Sequence, residues 1–246
     1  MRLRLDPLLV ARFQRRLLAW YRANGRKLPW RRTRDPYRIL VSEIMLQQTQ
    51  VDRVKGFYRR FVRQYPSFEH LAAADEPAVR ESWDGLGYYA RARNLHRTAR
   101  IVVGEHGGAL PDHPQVIRRL PGIGRYTAGA VLSIAFGQDE PILDTNAARV
   151  LARVFAVRVR GGKARLHARL WVVAERVTPA GAAGDFNQGI MDIGATLCRV
   201  RNPLCERCPL RRDCRSAARL APPPVSRATA PAAAPSRRSR TRRTGG

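Results

Sequence analysis

Apolar residues recur at every third or fourth position along much of this chain, and that spacing is the period of an amphipathic helix. The first such segment runs from Leu8 to about Arg22, with its apolar face formed by Leu9, Phe13, Leu17, Trp20 and Tyr21. Strict alternation of apolar and polar residues, which indicates a half-buried strand, is nearly absent. The pattern therefore predicts an all-α protein.

Proline and glycine interrupt this helical pattern repeatedly. The breaks fall at Asp35-Pro36, Tyr65-Pro66, Gly85–Gly87, Gly107-Gly108, Pro121–Gly124 and Gly137–Pro141. The intervals between them suit many helices of about 8–15 residues, a usual length in globular proteins. After Arg215 the sequence is mainly alanine, proline, serine, threonine and arginine. Such a segment cannot form a core, so we expect a disordered basic tail over 216–246.

The composition limits the class of protein. A chain of 246 residues that is 44% hydrophobic has enough apolar surface for one large domain or two small ones. It contains no run of about 18 apolar residues, so no membrane span is expected. The N-terminal segment MRLRLDPLLVARF is basic but too interrupted by charge for a secretory signal peptide. We therefore expect a cytoplasmic protein, associated with the nucleoid of a bacterium.

The charge balance points to a polyanionic partner. Lysine and arginine number 46 against 19 acidic residues, giving a net charge of +27. The tail contributes only seven arginines, so the rest of the chain is strongly basic in its own right. A bias toward arginine over lysine is explained by a GC-rich genome, but the shortage of acidic residues is not. Nucleic acid is the simplest partner for such a protein.

The segment RRLPGIGRYTAGAVLSIAF, residues 118–136, predicts two helices joined by a tight turn. The first helix is expected to end at Leu120, and a helix of small residues begins near Arg125. Gly122 and Gly124 allow the backbone to turn sharply and to approach another surface closely. The free N–H groups at the start of the second helix then suit a phosphate. An ordinary pair of antiparallel helices is the alternative, and the basic composition favours DNA.

Two carboxylates lie where acid–base chemistry is plausible on physical grounds. In PILDTNAARVLARVF, Asp144 follows an apolar run and precedes a helix, which is a common place for a plain N-cap. A carboxylate there stays ionised and can stabilise a cationic sugar. Glu43 lies inside ILVSEIML, where burial raises the pKa of a carboxyl group. The alternative, favoured by the residues alone, is that Glu43 faces water beside Ser42 near a helix start.

Aromatic residues and arginines alternate around a glycine turn in WDGLGYYARARNLH, residues 83–96. Aromatic rings stack on bases and guanidinium groups bind phosphates, so this composition suits a nucleic-acid contact. The alternative is a set of buried aromatic residues beside a solvated arginine face.

All four cysteines lie in CRVRNPLCERCPLRRDC, residues 198–214, with the spacing Cys-x6-Cys-x2-Cys-x5-Cys. In a reducing compartment such a group indicates a metal rather than disulfides. Zinc sites usually combine two short Cys/His pairs around a spacer, whereas this loop has one Cys-x2-Cys between two more distant cysteines. The spacing favours an iron–sulfur cluster and leaves zinc as the alternative.

Seven segments of the chain, including those described above, occur in the same order as in the helix-hairpin-helix DNA glycosylases that carry an iron–sulfur cluster, and the chain resembles that superfamily. They are LPWR, SEIMLQQTQV, GLGYYARARNLH, LPGIGRYTAG, ILDTNAARVLARV, FNQGIMDIGA and the spaced cysteines. Within that superfamily the chain most resembles the A/G-mismatch adenine DNA glycosylases, the MutY type, over about residues 12–215. Each segment is only moderately specific, but the ordered set is very specific.

The resemblance implies a fold of two domains. A six-helix barrel domain, residues 27–138, would contain the helix-hairpin-helix. The N-terminal helix, residues 1–26, would pack with an iron–sulfur cluster domain, residues 139–215. Double-stranded DNA containing a mismatch would bind as the partner of a monomer, across the cleft between the domains, with the target base flipped out of the duplex.

The resemblance also implies roles for individual residues. Glu43 matches the general acid that protonates adenine at N7, and Asp144 matches the carboxylate that stabilises the oxocarbenium ion. The other matches are Tyr126 and Asn146 in support of the catalytic pair; Trp30, Arg31 and Gln188 at the base pocket; Gln48 and Tyr88 as residues that enter the duplex; Gly122, Gly124, Arg125, Arg199 and Arg201 as DNA contacts; and Cys198, Cys205, Cys208 and Cys214 as ligands of one [4Fe–4S] cluster.

Position 126 bears on the type of reaction. Related enzymes with lyase activity have a lysine there that forms a Schiff base. This chain has Tyr126, and Lys27, Lys55 and Lys163 lie outside the motifs. The resemblance therefore implies a monofunctional glycosylase that leaves an intact abasic site.

The sequence departs from the family pattern in two places. Many members continue into a further domain that recognises 8-oxoguanine, whereas this sequence continues after Arg215 only into the low-complexity segment, which affects the expected substrate. Thr145 also follows Asp144 where several relatives have glycine, but this is a small change beside an intact Asp144 and Asn146. A thymine or uracil glycosylase for G mismatches is the main alternative, because some compact relatives of that kind also lack the extra domain and carry tyrosine in the hairpin. A non-catalytic DNA-binding protein is a third, which the presence of Glu43 and Asp144 disfavours.

Overall fold

The computed structural model describes residues 5–220. Within that range the secondary structure is helical and contains no strand, which confirms the all-α prediction. The α-helices are α1 (Pro7–Asn24), α2 (Pro36–Leu46), α3 (Val51–Gln64), α4 (Phe68–Ala73), α5 (Glu76–Glu81), α6 (Ala90–His106), α7 (Pro114–Ile117), α8 (Arg125–Ala135), α9 (Thr145–Val154), α10 (Gly162–Val177), α11 (Ala183–Thr196) and α12 (Ala217–Leu220). Short 3-10 helices span Pro29–Arg31 and Cys205–Arg207.

The helices pack around two hydrophobic cores. The first is built from residues between Leu28 and Leu132, and α2 contributes the longest run of buried side chains to it. The second combines α1 with residues between Ile142 and Leu210. Helix α8 contributes to both cores, so it joins the two parts of the molecule. The predicted domain boundaries stay a prediction.

Local chemistry explains why α2 forms and why it is buried. Asp35 accepts a hydrogen bond from the backbone N–H of Tyr37 at 2.9 Å, and Pro36 occupies the first turn, where no donor is lost. Eight of the nine residues from Tyr37 to Met45 are buried, and Arg38 is the exception. A helix that is apolar on nearly all sides belongs inside the fold.

Helix α11 lies close to several neighbours because small residues occur along it. A Cβ atom on Gly189 would lie 2.7 Å from Leu17 Cδ2 on α1, and one on Gly194 would lie 2.5 Å from Asn146 Cβ on α9. Glycine permits both close approaches without a clash. The helix that carries Gln188 and Asp192 is thereby held against α1 and α9.

The ends of two predicted segments differ from expectation. The first helix of the hairpin, α7, ends at Ile117, and Leu120 lies in the turn that follows. The predicted tail begins too early, because Ser216 is buried and Ala217–Leu220 form a helical turn. Ser216 is held close to the cysteine loop, and the backbone N–H of Ala217 donates to the carbonyl of Cys214 at 3.0 Å. The remainder of the predicted tail, 221–246, lies outside the described residues.

No helix among the described residues is long and apolar enough to cross a membrane.

Candidate active site

A pocket between the two cores gathers five of the predicted site residues. Helix α2 supplies Glu43, α8 supplies Tyr126, α11 supplies Gln188, and the loop before α2 supplies Trp30 and Arg31. Further lining side chains are mostly apolar: Leu28, Ile39, Ser42, Leu46, Val51, Ile134 and Met191, together with Arg26. A mostly apolar pocket with a few convergent polar groups is the usual form of a small-ligand site.

Glu43 is buried in the middle of α2, with only 4% of its surface exposed. Burial raises the pKa of its carboxyl group to about 7, and the negative charge of Asp144 adds to the shift. The hydrogen bond from Tyr126 and the charge of Arg31 act in the opposite direction. The solvent-facing alternative for Glu43 is therefore wrong, and a substantial fraction of the carboxyl group is protonated near neutral pH.

Tyr126 lies in the first turn of α8 and faces the same pocket. Its Oη atom donates to Glu43 Oε2 at 2.8 Å and lies 3.3 Å from the Met191 Sδ atom. Burial and the nearby carboxylates hold the pKa of the phenol well above its usual range. Tyr126 therefore stays a hydrogen-bond donor, and it fixes the orientation of the Glu43 carboxyl group.

Asp144 caps α9 as predicted, and it is partly exposed. Its Oδ1 atom accepts the backbone N–H of Ala147 at 2.6 Å, and its Oδ2 atom accepts the Asn146 side-chain amide at 2.9 Å. Asn146 in turn accepts from Arg149 at 2.7 Å, and Arg149 Nε donates to the carbonyl of Cys198 at 2.7 Å. Side chains on one helix thus connect Asp144 to the cysteine loop.

Arg31 is fixed at the pocket wall by a second buried acid, Asp192. The guanidinium forms a two-point contact, with Nη1 at 2.6 Å from Oδ2 and Nη2 at 2.9 Å from Oδ1. Arg26 donates to the same carboxylate, from Nε to Oδ1 at 2.6 Å and from its backbone N–H to Oδ2 at 2.9 Å. Burial raises the pKa of Asp192, but the hydrogen bonds and charge of Arg31, with those of Arg26, outweigh it and leave the pKa below its ordinary value.

Trp30 and Gln188 complete the walls of the pocket. Trp30 is 5% exposed and packs edge-on against Tyr58, with ring centroids 5.4 Å apart. The Gln188 Nε2 atom makes a long contact of 3.4 Å with the carbonyl of Gly184 in its own helix. Gln188 and Arg31 both line the pocket.

The predicted hairpin leads into α8. Gly122 has φ of +76°, and a Cβ atom there would lie 3.0 Å from Asn94 Cβ, so the turn requires glycine. Gly124 is the N-cap of α8, and no side chain caps it. The first N–H groups of α8 are therefore available to an anion. Arg125 instead packs over the Trp171 ring at 3.8 Å and forms an ion pair with Glu175.

Gln48 and Tyr88 lie on two loops, after α2 and before α6, outside the pocket lining. Both have positive φ, 56° and 53°, which is uncommon for residues other than glycine. Tyr88 is 57% exposed despite its large apolar ring.

The four cysteines have free thiols and line one cavity beside Val150 and Leu210. Burial, together with the charges of the other three cysteines, raises the pKa of Cys208 to about 11. No group of three or more His, Cys, Asp or Glu side chains in residues 5–220 is arranged to hold a metal ion. Arg199 and Arg201 are exposed on the same loop.

Sequence reasoning missed Arg26, Met191 and Asp192. Arg26 and Met191 lie next to recognised motifs but carry no distinctive pattern of their own. Asp192 had one available signal, since an acid in the apolar helix FNQGIMDIGA needs a partner when it is buried.

The described helices form two packed cores, a tight glycine turn leads into α8, and a buried acid lies in the pocket between the cores. Residues 41–176 match the family of HhH-GPD superfamily base excision DNA repair proteins. That match covers more than half of the chain, and the chain belongs to this family. The prediction of a helix-hairpin-helix glycosylase relative is thereby confirmed.

Three relatives show where the chain lies within the family. The adenine DNA glycosylase of Homo sapiens is 42% identical over 224 residues, covering 87% of this chain and 41% of that protein. The thymine-DNA glycosylase of Aeropyrum pernix is 38% identical over 214 residues, covering 85% of this chain and 96% of that protein. The structure of a thermostable thymine-DNA glycosylase superposes with a TM-score of 0.79 at 34% identity, covering 86% of this chain and 98% of that one.

The chain thus spans less than half the length of the human adenine glycosylase that it matches.

Proposed function

We propose that this protein is a monofunctional DNA glycosylase that removes adenine mispaired with guanine or 8-oxoguanine. The observation that carries the proposal is Glu43, a buried acid with a pKa near 7 that is oriented by Tyr126 in a pocket between the two cores. The sequence relationship to adenine DNA glycosylases supports the choice of base.

Glu43 serves as the general acid. A carboxyl group with a pKa near the working pH holds a proton and can still release it, which is the requirement for general-acid catalysis. The proton goes from Glu43 to adenine N7, so that the base leaves as a neutral molecule when the glycosidic bond breaks. The Glu43 carboxylate then accepts a proton from the attacking water.

Asp144 stabilises the sugar cation. Its oxygens are fixed by the Ala147 N–H and the Asn146 amide, so the carboxylate does not have to reorganise as positive charge develops. Its negative charge also raises the pKa of Glu43, which couples the two acids. Tyr126 takes the place of a Schiff-base lysine, so the product is an intact abasic site.

The protein binds mismatched duplex DNA as a monomer. The hairpin and the loops around the pocket form the contacts with the duplex. The uncapped start of α8, with Gly122 and Gly124, suits a phosphate, and the exposed Arg199 and Arg201 suit another. Arg125 stays a predicted DNA contact, although its pairing with Glu175 must open before it can bind phosphate.

The cysteine loop suits one [4Fe–4S] cluster held by Cys198, Cys205, Cys208 and Cys214. Its four thiols line a single apolar cavity rather than pairing as disulfides, which fits a group bound through four thiolates. Hydrolysis of a glycosidic bond transfers no electrons, so the reaction does not need the cluster for redox chemistry. When bound, the cluster would instead hold the loop together as a crosslink between the four cysteines. A purified protein should be brown with broad visible absorbance; a colourless, zinc-loaded and fully active protein would contradict this assignment.

A thymine or uracil glycosylase is the second candidate, because the chain covers nearly all of the Aeropyrum pernix thymine-DNA glycosylase. The raised pKa of the Glu43 carboxyl group supports adenine. A carboxylic acid with a pKa near 7 can protonate a purine ring nitrogen, whereas thymine lacks a comparably basic ring nitrogen.

Base release from duplexes containing A:8-oxoG, A:G, T:G and U:G tests the proposal directly. Release of adenine from the first two is expected, and release of thymine or uracil without adenine would overturn the choice of base. Borohydride should trap no stable crosslink to the protein. A strong crosslink that disappears in Tyr126→Phe would contradict the monofunctional assignment.

A further inference from the structure

Arg91 is a buried cation in the first turn of α6, with only 8% of its surface exposed. Burial lowers the pKa of its guanidinium, and no carboxylate within residues 5–220 offsets that effect. A buried arginine without an acidic partner is unusual and must be satisfied by other acceptors. Backbone carbonyls provide acceptors for its two terminal nitrogens, whereas Nε is buried without a hydrogen-bond partner among the described residues.

The guanidinium of Arg91 donates hydrogen bonds both to the end of α2 and to the loop before α6, and so connects the two segments. Nη1 donates to the carbonyls of Ile44 at 3.1 Å and Met45 at 2.8 Å, and also to the carbonyl of Gln47. Nη2 donates to the carbonyl of Gly87 at 3.0 Å. These carbonyls of α2 belong to its last turn and its C-cap. At the end of a helix no backbone N–H of the same helix is available to donate to them.

Two of these carbonyls precede the residues with positive φ. The Gln47 carbonyl belongs to the peptide plane that leads into Gln48, and the Gly87 carbonyl belongs to the plane that leads into Tyr88. Because a peptide is planar, fixing its carbonyl also fixes the N–H of the next residue. Residues other than glycine keep a left-handed conformation only where the surroundings impose it. Arg91 donates to the peptide that precedes each of these two residues with one side chain.

The two loops are suited to enter a duplex. Tyr88 presents a largely exposed ring, and the Arg91 guanidinium lies 5.1 Å from the centroid of that ring. Gln48 follows α2 two residues after Leu46, which lines the base pocket. A base that leaves the stack opens a gap, and an aromatic side chain can fill such a gap by stacking.

We propose that Arg91 is a positioning residue that sets Gln48 and Tyr88 as a pair of wedge residues, and so stabilises the flipped state of the target base. This inference rests on the proposed glycosylase function. It differs from a purely structural role, in which Arg91 would only satisfy the end of α2 and would affect stability without acting through Tyr88.

Arg91→Lys tests the proposal, because a single ammonium group keeps the charge but lacks the planar fork that reaches both loops. Arg100→Lys, an exposed change on the same helix, is the matched control. Single-turnover base release should fall about tenfold in Arg91→Lys, the usual scale for losing hydrogen bonds to a charged group. Release in Arg100→Lys should equal that of the wild-type protein.

A double-mutant cycle with Tyr88→Ala separates the two roles. If Arg91 acts through the wedge, Arg91→Lys should cause a smaller further loss of base release in the Tyr88→Ala background, where only Gln48 remains to be positioned. The same fractional loss in both backgrounds, or wild-type release by Arg91→Lys, would overturn the proposal. Arg91→Gln, which keeps two N–H donors, is measured in the same way if Arg91→Lys does not fold.

Fluorescence of 2-aminopurine beside the target base provides a readout that does not depend on chemistry. In a Glu43→Gln background, the increase on binding should be smaller with Arg91→Lys than without it, and an equal increase would count against the proposal. If the wild-type protein released no base from any duplex, the proposed function alone would fail. The fluorescence comparison would still decide the role of Arg91.

Discussion

Two buried carboxylates lie beside the same pocket and behave in opposite ways. Glu43 has one hydroxyl donor, from Tyr126, and its pKa rises to about 7. Asp192 has a fully buried side chain, two arginines and a backbone N–H, and its pKa falls below the ordinary value. Burial acts in the same direction on both acids, so the number and charge of the partners decide which one holds a proton. The region around Glu43 is suited to proton transfer, and the region around Asp192 to holding Arg31 in place.

Replacement of the proton donor should have the largest effect. Glu43→Gln keeps the shape but removes the acid, and base release should fall by about 10³-fold or more, the upper range for a general acid. Single-turnover kinetics on an A:8-oxoG duplex measures this. Duplex binding should be retained, because the change adds no charge to the pocket. Base release within tenfold of the wild-type rate would rule out Glu43 as the acid.

The matching change in the other region should affect folding. Asp192→Asn leaves two arginines beside a neutral group, and breaking a buried ion pair on one side costs about 3–5 kcal/mol of unfolding free energy. Urea denaturation measures the loss. Asp52→Asn removes an exposed pair with Lys55 and is the control, with little change expected. Equal stability of Asp192→Asn and the wild-type protein would show that the arginines do not depend on this charge.

The pH dependence of stability should separate the two acids further. Glu43 binds its proton more tightly when folded, because its pKa rises from 4.5 to about 7. Its contribution to stability is therefore greatest at low pH, and about 3 kcal/mol of it is lost as the pH rises through that interval. Asp192 has a lowered pKa, so its contribution is present above the ordinary aspartate pKa and is lost as the pH falls.

Denaturation across a pH series checks this contrast. Glu43→Gln should flatten the stability profile between pH 4.5 and 7, and Asp192→Asn should flatten it only in the acidic range. Identical profiles for Glu43→Gln and the wild-type protein between those pH values would contradict the raised pKa.

Removal of the single donor to Glu43 should give the smallest effect. The Tyr126 hydrogen bond lowers the pKa of Glu43, so Tyr126→Phe should raise that pKa further. The alkaline limb of the pH–rate profile should then move to higher pH, and base release at neutral pH should fall about tenfold because the acid is less well oriented. A limb that moves to lower pH would mean that Tyr126 does not donate to the carboxylate.

Prediction from the sequence succeeded where the signal was local. The helices begin and end close to the proline and glycine breaks, since those residues act on their own turn. Asp144 was recognised as an N-cap because the capping bond spans three residues. The position of Glu43 was less certain, because an apolar sequence around an acid does not reveal whether the side chain is buried. Its burial and its bond to Tyr126 were decided by the packing of α2 against α8.

The sequence by itself determined the all-α class, the hairpin glycines, the cap at Asp144 and the spacing of four cysteines. All of these depend on residues within a few turns of one another. Only the tertiary structure decided that Tyr126 reaches Glu43 across 83 positions, that Arg31 reaches Asp192 across 161, and that Arg91 joins the loops before Gln48 and Tyr88. The pKa of a carboxyl group depends on the charges and donors that surround it in space. For that reason the fold, and not the order of residues, assigned opposite roles to two buried acids.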